Sequence, residues 1–249
     1  MSPNLLVLGG TTEANALAKL LAEKAIPAIY SYAGRVADPQ AQPLPVRIGG
    51  FGGVQGLAGW LRDNRITHVV DATHPFAAQM SRHAIAACEA TGIPLVALTR
   101  PAWAAQPGDR WVHVPDIAAA VDALGESRRR VMLAIGRMHL SEFAGAPQHF
   151  YLLRLVDAPS EPPLPDCAIE VSRGPFTVDG DTALMRRHAV DVVVSKNAGG
   201  TGARAKIDAA RALELPVVMI DRPDLLERRE LHSPAEVLDW LHAGTERGV

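Results

Sequence analysis

Short apolar runs alternate with amphipathic segments along most of the chain. Strands are predicted at 4–8, 28–31, 46–48, 67–71, 94–98, 111–114, 131–135, 149–153, 191–195 and 217–220. Helical spacing of apolar residues is found at 13–24, 57–61, 77–91, 117–124, 182–188, 205–213 and 235–242. Apolar strands that alternate with helices are typical of parallel sheets covered by helices on both faces. The pattern therefore predicts an α/β fold.

The length of 249 residues suits two compact domains, because domains cluster near about 100–150 residues. The polar stretch Gln106–Asp109 is the best candidate boundary. We therefore predict an N-terminal domain over residues 1–107 and a C-terminal domain over residues 108–249.

The two predicted domains also resemble each other in sequence. Residues 69–101 contain a predicted strand, a predicted helix and a second strand that ends at Arg100-Pro101. Residues 193–223 contain the same features in the same order and end at Arg222-Pro223. Strand order in such βαβ units is strongly constrained. We therefore expect two Rossmann-like doubly wound domains with mainly parallel sheets and a ligand cleft between them.

Composition and charge exclude several classes of protein. The 25 Lys and Arg residues against 27 Asp and Glu give a net charge of −2, which offers no global field for nucleic acid or an anionic membrane. No apolar run approaches the roughly 18 residues of a membrane span, and the N-terminus has no signal-peptide pattern, so the cytoplasm is the expected location. The cysteines, Cys88 and Cys167, form no CxxC, and no GxSxG, HExxH or His/Cys cluster supports a hydrolase or a metal site.

A glycine turn joins the first predicted strand to the first predicted helix. Its candidate cofactor-binding residues are Gly9, Gly10, Thr11, Thr12 and Glu13. Backbone N–H groups and the helix dipole at such a turn can hold a pyrophosphate, although the adjacent glycines are not the GxGxxG pattern. The alternative is a tight strand-to-helix turn with no ligand.

Arg35 follows the second predicted strand, where a Rossmann fold places an acidic residue for NAD or a basic residue for the 2′-phosphate of NADP. No acidic residue ends this strand, and Asp38 lies in the loop before Pro39. The pattern favours NADP(H), and the alternative is a solvated surface arginine.

The segment Asp71–Phe76 begins at the last residue of the strand predicted at 67–71 and continues into the loop after it. The carboxyl ends of strands line the ligand crevice of a doubly wound sheet. Thr73 is a candidate to bind the cofactor or to cap the next helix, and His74 is a candidate proton donor that also contacts the cofactor. A histidine before proline is also a common turn residue.

A second polar loop follows the matching strand of the other half. Its candidate substrate-binding residues are Ser195, Lys196, Asn197, Gly199, Gly200 and Thr201. The lysine precedes the glycines, so this is an anion cradle rather than a Walker A loop. Arg100 and Lys206 are further substrate candidates, and Arg137 and Arg222 also lie near strand ends; each of these cations is alternatively part of a surface ion pair.

Read together, six motifs resemble the precorrin-6A reductase family of cobalamin biosynthesis, and the resemblance runs essentially end to end. They are Leu8–Ala14, Tyr32–Arg35, Arg47–Gly53, Asp71–Ala77, Arg100–Trp103 and Ser195–Gly200. Family sequences often have serine at the position of Ala198. This chain therefore lacks only the side-chain hydroxyl that the serine would supply there.

The resemblance implies a two-domain Rossmann-like oxidoreductase that uses NADPH to reduce one double bond of precorrin-6A, a tetrapyrrole-derived polycarboxylate, to give precorrin-6B. It also adds Gly50 and Phe51 to the expected cofactor site. The positive groups around Lys196 then suit the carboxylates of the substrate.

Two other functions remain open. A generic NAD(P)-dependent reductase of small carbonyl compounds would usually carry Tyr-x-x-x-Lys, and none of the three tyrosines has a lysine four residues later. A dinucleotide-sensing regulator on the same fold would not need the second anion cradle. The sequence leaves the oligomeric state open, as it does the choice between cobalt-free and cobalt-containing substrate.

Overall fold

The computed structural model describes residues 2–34, 40–172 and 174–246. The strands are β1 (Leu5–Leu8), β2 (Ala28–Tyr32), β3 (Val46–Ile48), β4 (His68–Asp71), β5 (Leu95–Leu98), β6 (Arg110–Val114), β7 (Arg130–Ala134), β8 (Phe150–Leu155), β9 (Cys167–Val171), β10 (Val192–Lys196), β11 (Pro216–Ile220) and β12 (Glu230–Leu231). The helices are α1 (Thr12–Glu23), α2 (Gly53–Asp63), α3 (Ala78–Thr91), α4 (Ile117–Asp122), α5 (Val178–Arg187), α6 (Ala205–Ala212) and α7 (Pro234–Glu246), and a 3₁₀ segment spans Arg137–Gly145.

The chain forms two compact units, and their bounds differ from the predicted domains. Unit 1 comprises Met1–Arg100 together with Asp224–Val249, and unit 2 comprises Pro101–Pro223. The boundary lies at the first Arg-Pro step rather than after residue 107, and the last segment returns to unit 1 instead of belonging to a domain over 108–249. It returns because β12 pairs with β5, and α7 packs its apolar residues into the core of unit 1.

The sheet of unit 1 has the strand order β12-β5-β4-β1-β2-β3, and all its pairings are parallel. This is the Rossmann order, in which the direction of chain progression reverses between β1 and β4. Successive residues of β1 face opposite sides of the sheet. Leu5 and Val7 join the core formed with α1 and α7, whereas Leu6 and Leu8 join the core formed with α2 and α3.

The sheet of unit 2 has the strand order β6-β11-β10-β7-β8-β9 and is also parallel throughout. Matched position by position, β10 and β11 correspond to β4 and β5, which confirms the predicted similarity of the two halves. The two mainly parallel Rossmann-like sheets are likewise confirmed.

In each unit, one edge strand is formed by a part of the chain that has just come from the other unit. These edge strands are β12, which pairs with β5, and β6, which pairs with β11. After β5 the chain runs into unit 2 and forms β6, which pairs with β11; after β11 it returns to unit 1 and forms β12. The two Arg-Pro steps mark these crossings.

Three elements escaped the sequence prediction. They are β9, the two-residue strand β12 and the 3₁₀ segment. Helix α5 also begins at Val178 rather than at 182, because the Thr177 side chain caps it by accepting a hydrogen bond from the Gly180 N–H.

Candidate functional site

The glycine turn of unit 1 lies where β1 and β4 end side by side. Leu8 pairs with Asp71, and the Ala72 N–H donates to the Leu8 carbonyl at 2.9 Å. Parallel sheets with this strand order bind ligands at such a reversal point. The predicted turn and the predicted Asp71–Phe76 segment are therefore neighbours.

Gly9 and Gly10 are glycines for different reasons. A Cβ on Gly9 would stand 2.1 Å from the Tyr30 ring, so this position makes room for a buried side chain of β2. Gly10 has a φ of +113°, and a Cβ there would meet nothing within 4 Å. Gly10 thus presents an open backbone surface, which a dinucleotide phosphate can approach.

Helix α1 begins with a complete side-chain cap. The Thr11 hydroxyl accepts the Ala14 N–H at 3.1 Å and donates to the Ala72 carbonyl at 2.8 Å. Within the described chain, the N–H groups of Thr12 and Glu13 donate to no protein acceptor. The helix dipole and these two donors favour an anion at this end of α1.

Two predicted site residues, one assigned to the cofactor and one to the substrate, form an ion pair inside unit 1. Arg100 Nη1 and Glu13 Oε2 are 2.9 Å apart, and both side chains are about four-fifths buried. Thr12 also donates to Glu13 Oε2 at 3.1 Å. The pair links the end of β5 to the first turn of α1.

The loop between β3 and α2 contains Gly50 and Phe51, which the resemblance added to the cofactor site. The Arg47 guanidinium lies 3.7 Å from the centroid of the Phe51 ring and donates to the Gly49 and Gly50 carbonyls at 2.8 and 3.0 Å. Burial lowers the pKa of Arg47 from its usual value. Arg47 therefore holds this loop in shape, a role that the sequence analysis did not assign.

Thr73 does not cap α3, which was one of its two predicted roles. The N-cap residue is Ala77, and no side chain caps that helix. The Thr73 hydroxyl and N–H instead donate to Asp71 Oδ1 at 2.7 and 3.2 Å, and the other oxygen of Asp71 pairs with Arg228. Arg228 reaches this strand end from the returning segment and was not among the predicted site residues.

His74 is exposed at the end of the same loop. Its Nδ1 accepts the Phe76 N–H at 3.2 Å, which leaves the proton of the neutral ring on Nε2.

The predicted NADP-selecting residue Arg35 lies outside the described residues. A polar network is found among described residues: the Tyr30 hydroxyl donates to Asn15 Oδ1 at 2.7 Å, and Gln42 donates to the same oxygen at 3.0 Å. The network connects the glycine turn to the loop between β2 and β3.

In unit 2, Ser195 and Asn197 belong to the framework of the predicted anion loop. Ser195 is fully buried, and its hydroxyl donates to the Lys196 carbonyl at 3.2 Å. Asn197 accepts the Trp103 N–H at 2.8 Å and donates to the Trp103 carbonyl at 3.0 Å. These bonds help to hold the loop in shape, and the predicted role of the two side chains in substrate binding stays a prediction.

Trp103, Lys206 and Arg222 support the loop. The indole N–H of Trp103 donates to the Gly200 carbonyl at 2.6 Å, and Lys206 Nζ lies 5.0 Å from the centroid of that ring and donates to the Ala203 carbonyl. Arg222 donates to the Asn197 and Ala198 carbonyls at 3.1 and 3.2 Å. Lys206 is thus a buried part of the loop framework, and its predicted contact with the substrate stays a prediction.

The other predicted members of the loop are more accessible. Lys196 is half-buried at the end of β10, and Thr201 is exposed. Gly199 and Gly200 both have a φ of +71°, and a Cβ on Gly199 would stand 2.2 Å from the Pro101 carbonyl oxygen. The N–H groups of Gly199, Gly200 and Thr201 donate to no other described residue, and no side chain caps α6. This side of the loop therefore suits an anion.

Neither a metal centre nor a membrane span is found in the described ranges. No group of three or more His, Cys, Asp and Glu side chains there is placed to hold a metal ion. No described helix combines the length and the apolar character needed to cross a bilayer.

These features define a two-unit α/β protein of the Rossmann type, with a glycine turn at the strand-order reversal of unit 1 and a polar loop at the matching place in unit 2. The family model for precorrin-6x reductase CbiJ/CobK matches residues 4–242. The chain belongs to that family and is therefore an oxidoreductase.

Similar proteins agree with this membership. A precorrin-6A reductase from Rhodobacter capsulatus is 58% identical and covers 98% of this chain and 99% of its own. The solved structure of a CobK precorrin-6A reductase superposes with a TM-score of 0.91 at 58% identity, covering 97% of this chain and 96% of that chain. A cobalt-precorrin-6A reductase from Salmonella typhimurium is 29% identical, and 98% of each chain is covered.

Proposed function

We propose that this protein reduces one carbon–carbon double bond of precorrin-6A, with NADPH as the reductant, to give precorrin-6B. The observation that carries the proposal is the family match over residues 4–242, which spans both the glycine turn of unit 1 and the polar loop of unit 2. The reaction adds a hydride to one carbon of the bond and a proton to the other.

The residues of unit 1 fit a dinucleotide. Gly10 leaves an open backbone surface, and the N–H groups of Thr12 and Glu13 point from the positive end of α1. NADPH supplies the hydride when it is bound. The protein orients the cofactor and excludes water.

The residues of unit 2 fit the carboxylates of the macrocycle. The protein has a net charge of −2, so an anionic substrate needs local donors. Lys196 and the N–H groups of Gly199–Thr201 are such donors, and Trp103 and Asn197 hold the loop that carries them. We assign Lys196 to charge recognition rather than to proton transfer.

The proton for the second carbon comes from His74 or from water. The His74 ring is exposed, and in its protonated form an imidazole can give up one proton and become neutral. We also infer that the substrate is cobalt-free, because identity is 58% to the named precorrin-6A reductase and 29% to the named cobalt-precorrin-6A reductase.

The test is anaerobic incubation of the purified protein with NADPH or NADH and either macrocycle, following nicotinamide absorbance and the macrocycle chromophore together. We expect stoichiometric NADPH oxidation and a chromophore change with precorrin-6A. Faster turnover of the cobalt-containing macrocycle would overturn the substrate assignment. Reduction of small carbonyl compounds with no reaction of either macrocycle would overturn the proposal itself.

A further inference from the structure

We propose that Arg228 and Asp71 are positioning residues that orient the Thr73 hydroxyl as a hydrogen-bond acceptor for the dinucleotide. The inference rests on the proposed cofactor site in unit 1. It assigns a function to the returning segment Asp224–Val249, which supplies Arg228.

The loop after β4 is attached directly to the glycine turn. The Ala72 N–H donates to the Leu8 carbonyl at 2.9 Å, and its carbonyl accepts the Thr11 hydroxyl at 2.8 Å. Thr73 follows immediately and is half-buried. A ligand bound at the turn is therefore within reach of this residue.

The contacts of Thr73 fix the direction of its hydroxyl proton. Its Oγ1 lies 2.7 Å from Asp71 Oδ1, which also accepts the Thr73 N–H at 3.2 Å. A carboxylate oxygen only accepts hydrogen bonds, so the threonine must donate its proton inward. The buried Ser81 hydroxyl lies 3.5 Å from Oγ1 and can donate to one of its lone pairs. The other lone pair remains for a ligand donor, and a dinucleotide offers such donors in its ribose hydroxyls and its carboxamide N–H.

Arg228 holds Asp71 in that arrangement. Its guanidinium pairs with the second oxygen of Asp71, and both side chains are at least nine-tenths buried. The next acidic atom, Glu230 Oε1, is 4.0 Å from Arg228 Nε. Removing one member of a buried pair leaves the other as an uncompensated buried charge, whereas replacing both with neutral groups is tolerated far better.

The experiment measures NADPH affinity of the full-length protein by nicotinamide fluorescence, with the melting temperature of every variant. Thr73→Val should weaken NADPH binding by about 2- to 13-fold, the range for one neutral hydrogen bond, and Thr73→Ser should restore it. Arg228→Met should weaken binding by at least about 10-fold, because the freed Asp71 charge disturbs the loop. The double variant Asp71→Asn with Arg228→Met should bind better than Arg228→Met alone, since an asparagine oxygen still accepts from Thr73.

Arg229→Met is the matched control. It makes the same substitution and charge change one residue later, at an exposed position, and should bind NADPH normally. Unchanged NADPH affinity in folded Thr73→Val and Arg228→Met would overturn the inference, even if the melting temperature falls. If Arg228→Met does not fold, the comparison of NADPH affinity between Thr73→Val and Thr73→Ser tests the inference. Failure of the wild-type protein to bind NADPH would instead overturn the proposed cofactor site.

Discussion

The Tyr30 hydroxyl accepts the Gly10 N–H at 2.9 Å, while the Tyr30 ring fills the space that a side chain on Gly9 would need. Burial raises the pKa of this phenol above its ordinary value, so it stays protonated and donates to Asn15. The shape of the glycine turn is therefore set by a side chain of β2 as well as by the glycines themselves. A phosphate at the turn would face the open side of Gly10 and the first N–H groups of α1.

Gly10→Val should abolish NADPH binding while the protein stays folded. The φ of +113° lies in the region that a β-branched residue avoids, at a cost of about 1–3 kcal/mol, and the side chain would fill the open surface. Gly59→Ala is the control: it lies within α2 with nothing within 4 Å of its Cβ, and should stabilise the protein slightly. Fluorescence titration and circular dichroism measure both effects. Normal NADPH binding by Gly10→Val would remove the dinucleotide from this turn.

Arg35→Ala should narrow the preference for NADPH over NADH. A charge-assisted hydrogen bond to the 2′-phosphate contributes about 1.5–3 kcal/mol, or roughly 10- to 150-fold in affinity. Titration of both cofactors against the wild type and the variant measures the change. Arg110→Ala removes an exposed arginine of unit 2 paired with Glu214, and should leave both affinities unchanged. Equal NADPH affinity in wild type and Arg35→Ala would exclude Arg35 from the site.

Lys196→Ala should raise KM for the macrocycle with little change in NADPH affinity. An ammonium beside several carboxylates holds its proton tightly, which suits recognition better than proton transfer. Pre-steady-state reduction at saturating macrocycle measures the chemical step separately, alongside His74→Ala. Lys19→Ala, an exposed lysine on α1, is the control. A fall of about 10²–10⁴ in that step, with unchanged macrocycle affinity, would make Lys196 the proton donor instead.

Asn197→Asp should destabilise the protein by about 3 kcal/mol. The amide Nδ2 donates to the Trp103 carbonyl at 3.0 Å, and a carboxylate there would be buried with no proton to donate. Urea denaturation measures the loss. Thr201→Ala, an exposed position in the same loop, should change the free energy of unfolding by less than about 0.5 kcal/mol. Equal stability of the two variants would contradict the framework role of Asn197.

Cys88 should resist alkylation at pH 8 until the protein unfolds, whereas half-buried Cys167 should react in the native state. Burial, aided by the charge of Asp71, raises the pKa of Cys88 from 9.0 to about 12. Because the folded-state pKa is the higher one, this contribution to stability is complete below pH 9 and is lost as the pH rises towards 12. The free energy of unfolding of Cys88→Ala should therefore fall less than that of the wild type between pH 9 and pH 12. Mass spectrometry of labelled peptides and urea denaturation against pH measure the two effects, and early labelling of Cys88 would refute its protection.

The sequence by itself determined the local parts of this protein. Some features depend only on residues close together in the chain, so they can be recognised from the sequence alone. They are the buried strand β1, the glycine turn and the Thr11 cap. The similarity of the two halves was also visible, because strands buried on both faces are near-continuous apolar runs. Parallel βαβ units allow few arrangements, which is why the doubly wound class could be predicted although no strand order was assigned.

Only the tertiary structure decided which polar side chains serve the framework and where the chain ends pack. Asn197 was an attractive ligand donor in sequence, but its amide binds Trp103, 94 positions away. Strand β12 has two residues, too few to show any periodicity, and it brings Arg228 to Asp71 across 157 positions. Nothing local to either residue encodes these pairings. They form because the folded chain buries polar groups together, and each buried group needs a partner.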